Sequence, residues 1–443
     1  MVDDTIFAVA TARVRAGVAI VRVSGPAAMR AVERLSRREV PPPRRASRRR
    51  LYDHEGDLVD DALVLWFPSP NSFTGEDVAE FHLHGGRSVI AGVVETLGLI
   101  PGLRGAEAGE FSRRAVVHGK LNLTEAEALA DLIAAETVAQ RRQAVRQLDG
   151  ELARLYDGWR SRLLRALAHV ETAIDFSDED IPADLSASVQ GEAATLACDI
   201  SRHLAKAAQG RRLREGIEIV VVGPPNAGKS TLVNALANRD VAIVSPRPGT
   251  TRDVLEVPLD LGGFPVILCD TAGLHVTDDD VEAEGVRRAQ QRAAAADLRI
   301  IVHDGSVGEV SGAATVMMTE VPAIVVVSKW DLQQPDAASI TSNPKVIGVS
   351  ARTGFGLDRL RARIIVELER NFDTSGGIAP TRERHQGGLR ACLAALQRMA
   401  AESEVELVAE ELRSAAQALG RITGRVHVEE VLDMIFAEFC LGK

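Results

Sequence analysis

The residues of this chain whose types and spacing can do chemistry begin with Lys229 and Ser230, which close a Gly223-x-x-x-x-Gly228-Lys-Ser run. An apolar stretch precedes the run at 217–222 and a helical pattern follows it, the context a phosphate-binding loop requires. Gly223 and Gly228 let the backbone turn its N–H groups onto an anion, and the following helix adds its positive dipole end. Lys229 would reach the β- and γ-phosphates, the Ser230 hydroxyl would take a place on Mg²⁺, and Asn226, Ala227 and Thr231 complete the cradle. A second strand-like run, VILCDTAG, delivers Asp270 for a water-mediated hold on Mg²⁺, then Thr271, Ala272 and Gly273, whose N–H would bond the γ-phosphate. Between the two lies Ser245-Pro246-Arg247-Pro248-Gly249-Thr250-Thr251, where Thr250 or Thr251 completes the magnesium shell only when a γ-phosphate is present. That is a switch. Base choice falls to Ser328-Lys329-Trp330-Asp331: a carboxylate at Asp331 accepts from guanine N1–H and its amine together, and adenine offers no such pair. Ser350-Ala351-Arg352 supplies a backbone N–H for guanine O6, so the expected ligand is GTP. Leu274 stands where a Ras-like enzyme positions water with glutamine, so hydrolysis must recruit another group. Glu282, with Arg252 as cation, is the candidate; both also read as ordinary switch-surface charges.

Elements must position these residues. Over 214–373, strand and helix patterns alternate as in a doubly wound α/β P-loop GTPase module. On either side, 119–213 and 374–443 read as helices. The economical arrangement is one discontinuous all-α helical domain into which the nucleotide domain is inserted; two separate bundles are the alternative. In the first flank Thr124 and Glu127 suggest a capping box, helices are expected from Glu151 to Ile174 and on to about Leu213, and in the second one runs from about Thr381 to Leu419. Residues 1–118 show β-type runs at 17–25, 61–68 and 77–86 with helical runs between and after them, an α+β domain. In the third run Glu80, His82 and His84 share one face, which lines a pocket or faces solvent; a metal site there lacks a third ligand. Gly85-Gly86 allows close approach to a ligand or tight packing. The Arg/Pro-rich segment 41–50 reads as a solvated loop, with tRNA phosphate contact as the alternative.

At 443 residues and 46% hydrophobic content, the chain is long enough for two or three globular domains. A formal charge of −10 argues against nonspecific coating of nucleic acid, so such a partner needs a local site. The four cysteines show no C-x-x-C pairing, no signal peptide or membrane span is evident, and a soluble cytoplasmic protein is expected. The ending FCLGK is a poor prenylation box.

The combination of NSFTGEDVAEFHLHGG, GEFSRRAVVHGKLNLTEAEALADLI, GPPNAGKSTLVNAL, PGTTRDV, DTAGL and terminal FCLGK resembles the MnmE (TrmE) family of tRNA-modification GTPases over essentially the full length. The resemblance implies an N-terminal tetrahydrofolate-binding-type domain that forms a homodimer, a helical domain, and an inserted G domain. It implies a flavoprotein partner, MnmG, with which an aminomethyl or carboxymethylaminomethyl group is added to C5 of the wobble uridine of certain tRNAs. Arg22, Glu80, Lys120 and Lys443 match the family's 5-formyl-tetrahydrofolate contacts; Asn226, Ser245, Arg247 and Thr250 match its K⁺ ligands, leaving Ser230 and Thr251 to Mg²⁺. Glu282 matches its water-orienting carboxylate, and Cys440 is a nucleophile candidate for the modification step. Ser328 replaces the usual asparagine and is expected to lose an amide tie, Ser245 replaces a threonine, and ATARVRAGVAI lacks the family's usual Pro/Gly-rich lead-in. The competing function is a regulatory GTPase switch in ribosome or RNP assembly, without modification chemistry.

Overall fold

The computed structural model describes residues 4–12, 14–175, 184–239, 241–242, 255–270, 291–307, 321–332, 346–372 and 377–426, and near the C-terminus 432, 435–436, 439 and 442. Ser245 to Arg252, Thr271 to Leu274, Glu282, Cys440 and Lys443, all singled out above, lie outside the described residues. The chain divides into two compact units: Met1–Ala130 with Leu148–Val189 and Ala401–Lys443, and Asp131–Gln147 with Gln190–Ala400.

The first unit is built on a six-stranded sheet of order β3-β4-β5-β2-β1-β6. Its strands are β1 (Thr5–Val9), β2 (Ala16–Ser24), β3 (Ser47–Tyr52), β4 (Leu58–Phe67), β5 (Val78–Gly85) and β6 (Leu103–Gly105). All neighbours are antiparallel except β1 and β6. Period-two alternation buries Val21 and Val23 with Ala79, Phe81 and Leu83 under helices α1 (Ala28–Ser36) and α2 (Arg87–Gly98), which contribute Leu35 and Leu97. Gly85 answers a packing need, since a Cβ there would stand 2.2 Å from the Ala16 carbonyl oxygen. The unit also holds α3 (Glu110–Val117), most of α4 (Leu123–Ala134), and the long α6 (Glu151–Asp175). Against α6 packs the long helix Val405–Thr423, with Arg413–Glu171 at 3.0 Å between them and Arg425, just past the helix end, on Asp157 of α6 at 2.6 Å.

The second unit carries a seven-stranded sheet of order β13-β12-β11-β7-β10-β9-β8. In chain order its elements are α5 (Val138–Leu148, whose last residue falls in the first unit), α7 (Asp184–Leu204, from Gln190 onward), α8 (Ala207–Glu215), β7 (Ile217–Val222), α9 (Lys229–Arg239), β8 (Val241–Ala242), β9 (Leu255–Leu261), β10 (Phe264–Asp270), β11 (Leu298–Asp304), β12 (Ala323–Ser328), β13 (Val346–Gly348), α10 (Leu357–Asn371) and α11 (Glu383–Met399). Strands β13, β12, β11, β7 and β10 are parallel, and β9 and β8 add an antiparallel edge. Near-continuous apolar runs such as Ile217–Val222 and Leu298–Val302 mark strands covered on both faces.

Four sequence expectations are corrected. The Arg-rich segment is a solvated loop only in its first half: Ser47–Tyr52 is edge strand β3, where Arg48 pairs with Asp61 of β4 at 2.6 Å. The capping box at α4 is Asn122 with Glu125, not Thr124 with Glu127: Asn122 Oδ1 accepts from Glu125 N at 3.0 Å and Glu125 Oε2 from Asn122 N at 2.9 Å. The helix expected to reach Leu213 breaks at Ala205-Lys206 into α7 and α8. The one expected over Thr381 to Leu419 is two, α11 and α12 (Val405–Thr423), because the backbone is extended at Glu404 (φ −84°, ψ 127°). β1, β3 and β6 were not anticipated.

Candidate nucleotide site

The phosphate side is assembled where β7 ends and α9 begins. Gly223 is required by contact, since a Cβ would lie 2.3 Å from the Val302 carbonyl oxygen of β11. Asn226 (φ 60°) and Gly228 (φ 85°) take the left-handed conformation that curls the loop, one that asparagine and glycine adopt most readily. Lys229 is buried, and its ammonium donates to the Gly223 and Pro224 carbonyls, both at 3.0 Å. Burial pushes the Lys229 pKa below its ordinary value, against the opposing pull of Asp270, which is buried at the end of β10. The structure thus brings Lys229 and Asp270 together, with Ser230 and Thr231 exposed on the first turn of α9.

The base side is assembled from the ends of β11, β12 and β13. Ser328 closes β12, and its buried hydroxyl donates to the Ala227 carbonyl in the phosphate loop at 2.6 Å, with the His303 carbonyl of β11 at 3.0 Å. The tie expected to be lost with the asparagine is therefore supplied by a hydroxyl. Lys329 (φ 52°) pairs with Asp304 at 2.6 Å, and that contact and the bonds from Ser306 hold the Asp304 carboxyl below its usual range although burial pushes it up. Asp331 Oδ1 accepts from Ser350 Oγ at 2.7 Å, and this bond lowers the Asp331 pKa, with a smaller contribution from Arg352, whose Nε is 3.6 Å from Oδ2. Trp330 stacks on Phe355 (centroids 6.5 Å apart, planes 9° apart) and lies so close over Gly348 that a Cβ there would come within 2.4 Å of the ring. The result is an ionised, oriented carboxylate, a two-point acceptor of the kind guanine satisfies. Asp304, which the sequence reading passed over, was legible as a strand-end aspartate in IIVHDG, the same signal that exposed Asp270.

In the first unit, Arg22 and Glu80 face each other across β2 and β5 and pair at 2.8 Å. The Arg22 guanidinium lies 5.3 Å from the Phe73 ring centroid and 5.8 Å from that of Phe111. His82 Nε2 is 3.3 Å from the other Glu80 oxygen, whereas exposed His84 turns to Asp60 at 2.7 Å, a contact that raises its pKa. Lys120 is exposed, its Cε against Gly75 in the loop that carries Phe73.

These donor sets suit the groups expected of them to different extents. Ser230 with buried Asp270 offers hard oxygen donors fit for Mg²⁺. Of the K⁺ set only Asn226 is described. The Arg22–Glu80 pair beside two aromatic rings fits a flat, polar heterocycle carrying a carboxylate tail. Among the described residues no helix is long and apolar enough to cross a membrane.

The fold and this geometry define a P-loop protein of the GTPase class. The chain belongs to the MnmE (TrmE) family: the family model for the MnmE helical domain matches residues 123–440, and that for the GTP-binding protein TrmE N-terminus matches 5–120. It is 53% identical over 442 residues to the tRNA modification GTPase MnmE of Paramagnetospirillum magneticum, covering 100% of both chains. The corresponding protein of Rhodospirillum rubrum is 52% identical over 456 residues, again with 100% of each chain covered. The human 5-taurinomethyluridine-[tRNA] synthase subunit GTPB3, mitochondrial, is 48% identical, with 99% of this chain and 93% of that protein covered.

Proposed function

We propose that this chain is a potassium-stimulated GTP hydrolase that acts, as a cytoplasmic homodimer with the flavoprotein MnmG, in placing the (carboxymethyl)aminomethyl group on C5 of the tRNA wobble uridine. The observation that carries the reading is the coupling of base and phosphate sides: Asp331, set by Ser350, lies three residues beyond Ser328, whose hydroxyl holds the phosphate loop at Ala227. End-to-end identity with proteins named tRNA modification GTPases supports the biological setting.

In this reading Asp331 selects guanine, with Lys329 held beneath it by Asp304, and Ser350, Ala351 and Arg352 close over the base. The phosphate loop, Asn226 to Thr231, wraps the phosphates, and Lys229 exchanges its loop carbonyls for phosphate oxygens. Ser230 and Thr251, backed by Asp270, hold Mg²⁺; Asn226, Ser245, Arg247 and Thr250 hold K⁺. The two cations supply positive charge against the charge that grows on the phosphates during hydrolysis. Glu282 orients the attacking water, a task Leu274 cannot perform. Arg22, Glu80, Lys120 and Lys443 hold a tetrahydrofolate, and Cys440 serves the modification step.

The test is GTP turnover by the full chain in potassium against sodium, with and without MnmG and tRNA, together with wobble-uridine analysis in a deletion strain. Turnover raised by potassium and a missing modification are expected. Unchanged tRNA in the deletion strain would leave only a regulatory GTPase.

A further inference from the structure

The base side of the nucleotide site carries an aromatic pair that touches none of the groups assigned to the base. Phe355 sits between Gly354 and Gly356, which both take the left-handed conformation (φ 84° and 74°), and it is 58% exposed. At that exposure its ring adds little to the core. Instead it lies parallel to Trp330, in the offset arrangement that aromatic pairs favour. Trp330 is fixed in turn: its ring covers Gly348, where there is no room for a Cβ, and its N–H donates to the Val349 carbonyl at 3.1 Å.

Phe355 is also the far end of the loop that carries Ser350. Ser350 N donates to the Phe355 carbonyl at 3.0 Å, Gly354 N donates to the Ser350 carbonyl at 2.9 Å, and Thr353 N donates to Ser350 Oγ at 3.2 Å. The same Oγ donates to Asp331 Oδ1. These contacts close a circuit. Asp331 is joined to Ser350 by a hydrogen bond, Ser350 to Phe355 through the loop, Phe355 to Trp330 by stacking, and Trp330 to Asp331 along the chain. Without the stack, the far end of the loop loses its side-chain hold on the segment that presents the carboxylate.

We propose that Trp330 and Phe355 are positioning residues for base selection: their stack holds the Ser350 loop so that the Asp331 carboxylate meets two donors of the base at once. The inference rests on the guanine reading of Asp331. Two-point acceptance demands a fixed carboxylate, because guanine N1–H and its amine must be met together. Hypoxanthine has the N1–H but no amine, and a single bond tolerates a carboxylate that swings. Opening the circuit therefore costs guanine more than hypoxanthine, a difference that a general loss of stability would not produce.

Competition against a fluorescent GDP analogue, with the full chain in Mg²⁺, gives Kd for GDP and for inosine diphosphate, and the parent should favour GDP. In Phe355→Ala and in Trp330→Leu that preference should shrink about two- to tenfold, the range an aromatic pair contributes. The double variant should fall no further than either single one, since both break one contact. Phe355→Tyr keeps the ring and should keep the parent's preference. Phe355→Ala alters a mostly exposed side chain, so its melting temperature should match the parent's. An unchanged preference in both single variants, or equal losses of affinity for the two diphosphates, overturns the proposal and leaves the guanine reading in place. A parent that binds both diphosphates equally overturns that reading, and the proposal with it.

Discussion

Ser328→Ala isolates the tie between the two halves of the nucleotide site. The substitution removes one oxygen from a residue that is 5% exposed, so no new space is opened to solvent. The Ala227 carbonyl loses the donor 2.6 Å away, and the His303 carbonyl loses its contact at 3.0 Å. Leaving a buried acceptor unpaired costs about 1–3 kcal/mol. If about 1–2 kcal/mol of that falls on the geometry of the phosphate loop, the dissociation constant for GDP rises about 5- to 30-fold. Titration with a fluorescent GDP analogue measures this directly, with thermal melting as the companion readout. Ser328→Thr, which keeps the hydroxyl, should restore most of the affinity. Base preference should not move, because Asp331 is held by Ser350. An unchanged GDP affinity in a variant whose melting temperature falls would refute the reasoning: the hydroxyl would then stabilise the sheet without setting the loop.

Asp331→Asn replaces an acceptor with an amide, so GDP affinity should fall at least tenfold while affinity for xanthosine diphosphate rises; competition binding with both nucleotides reads the exchange, and parallel losses would contradict it. Gly356→Ala puts a Cβ 2.0 Å from the Gly348 carbonyl oxygen at φ 74°, and the combined clash and left-handed strain should destabilise the nucleotide module by about 2–4 kcal/mol, visible as an early thermal transition. Arg114 is 5% exposed at its side chain and touches Asp4, Glu76 and Glu110, so Arg114→Met should cost about 3–5 kcal/mol in the N-terminal sheet, measured by urea unfolding. Burial pushes the Asp4 and Glu110 carboxyls up, yet hydrogen bonds from Arg104 and Arg114 hold both below their ordinary values. Groups lowered in the folded state contribute stability above their unfolded pKa of about 4 and lose it as pH falls through the folded values. Melting should therefore be flat above about pH 5 and decline below about pH 4, and a melting temperature that rises on acidification would refute the assignment.

What could be read in advance was what the chain states locally. The Gly223–Ser230 loop, the strand ends at Asp270 and Asp331, and the alternation of Ala79, Phe81 and Leu83 each announce themselves within about ten residues, because turn chemistry and strand period act at that range. What failed depended on distant partners. Ser328 looked like a lost contact because its acceptors lie at Ala227 and His303, far away in sequence. Arg48 and Arg50 are exposed, but the strand that carries them is defined only by its ladder with β4, where Arg48 stands opposite Leu63 and Arg50 opposite Asp61. At α4, Thr124 and Glu127 matched the spacing of a capping box as well as Asn122 and Glu125 did; Leu123 already lies within the helix, so only the earlier pair stands at its start.

The two ends of the seven-stranded sheet are built for different tasks. Where β7 begins, Glu218 takes Arg292 at 2.5 Å, and Arg292 reaches on to Glu256 of β9 at 2.5 Å. Asp297, just before β11, accepts from Glu218 N at 2.8 Å and pairs with Arg212 of α8 at 3.0 Å. This set of partly buried arginines and carboxylates cross-links the starts of β7 and β11 to the helix that leads into the sheet, and through Arg292 it reaches antiparallel β9, where Glu256 stands opposite Cys269 of β10. At the opposite end the same strands deliver every described residue of the candidate nucleotide site: β7 leads to the phosphate loop, β10 to Asp270, β11 to Asp304, β12 to Ser328 and Asp331, and β13 to Ser350. Parallel strands put their carboxyl ends on one edge, and in an open α/β sheet that edge is where ligands bind. The ionic cluster therefore does not compete with the site for residues; it holds the starts of β7 and β11 so that the strand ends present oxygens, N–H groups, Lys229 and Lys329 in register.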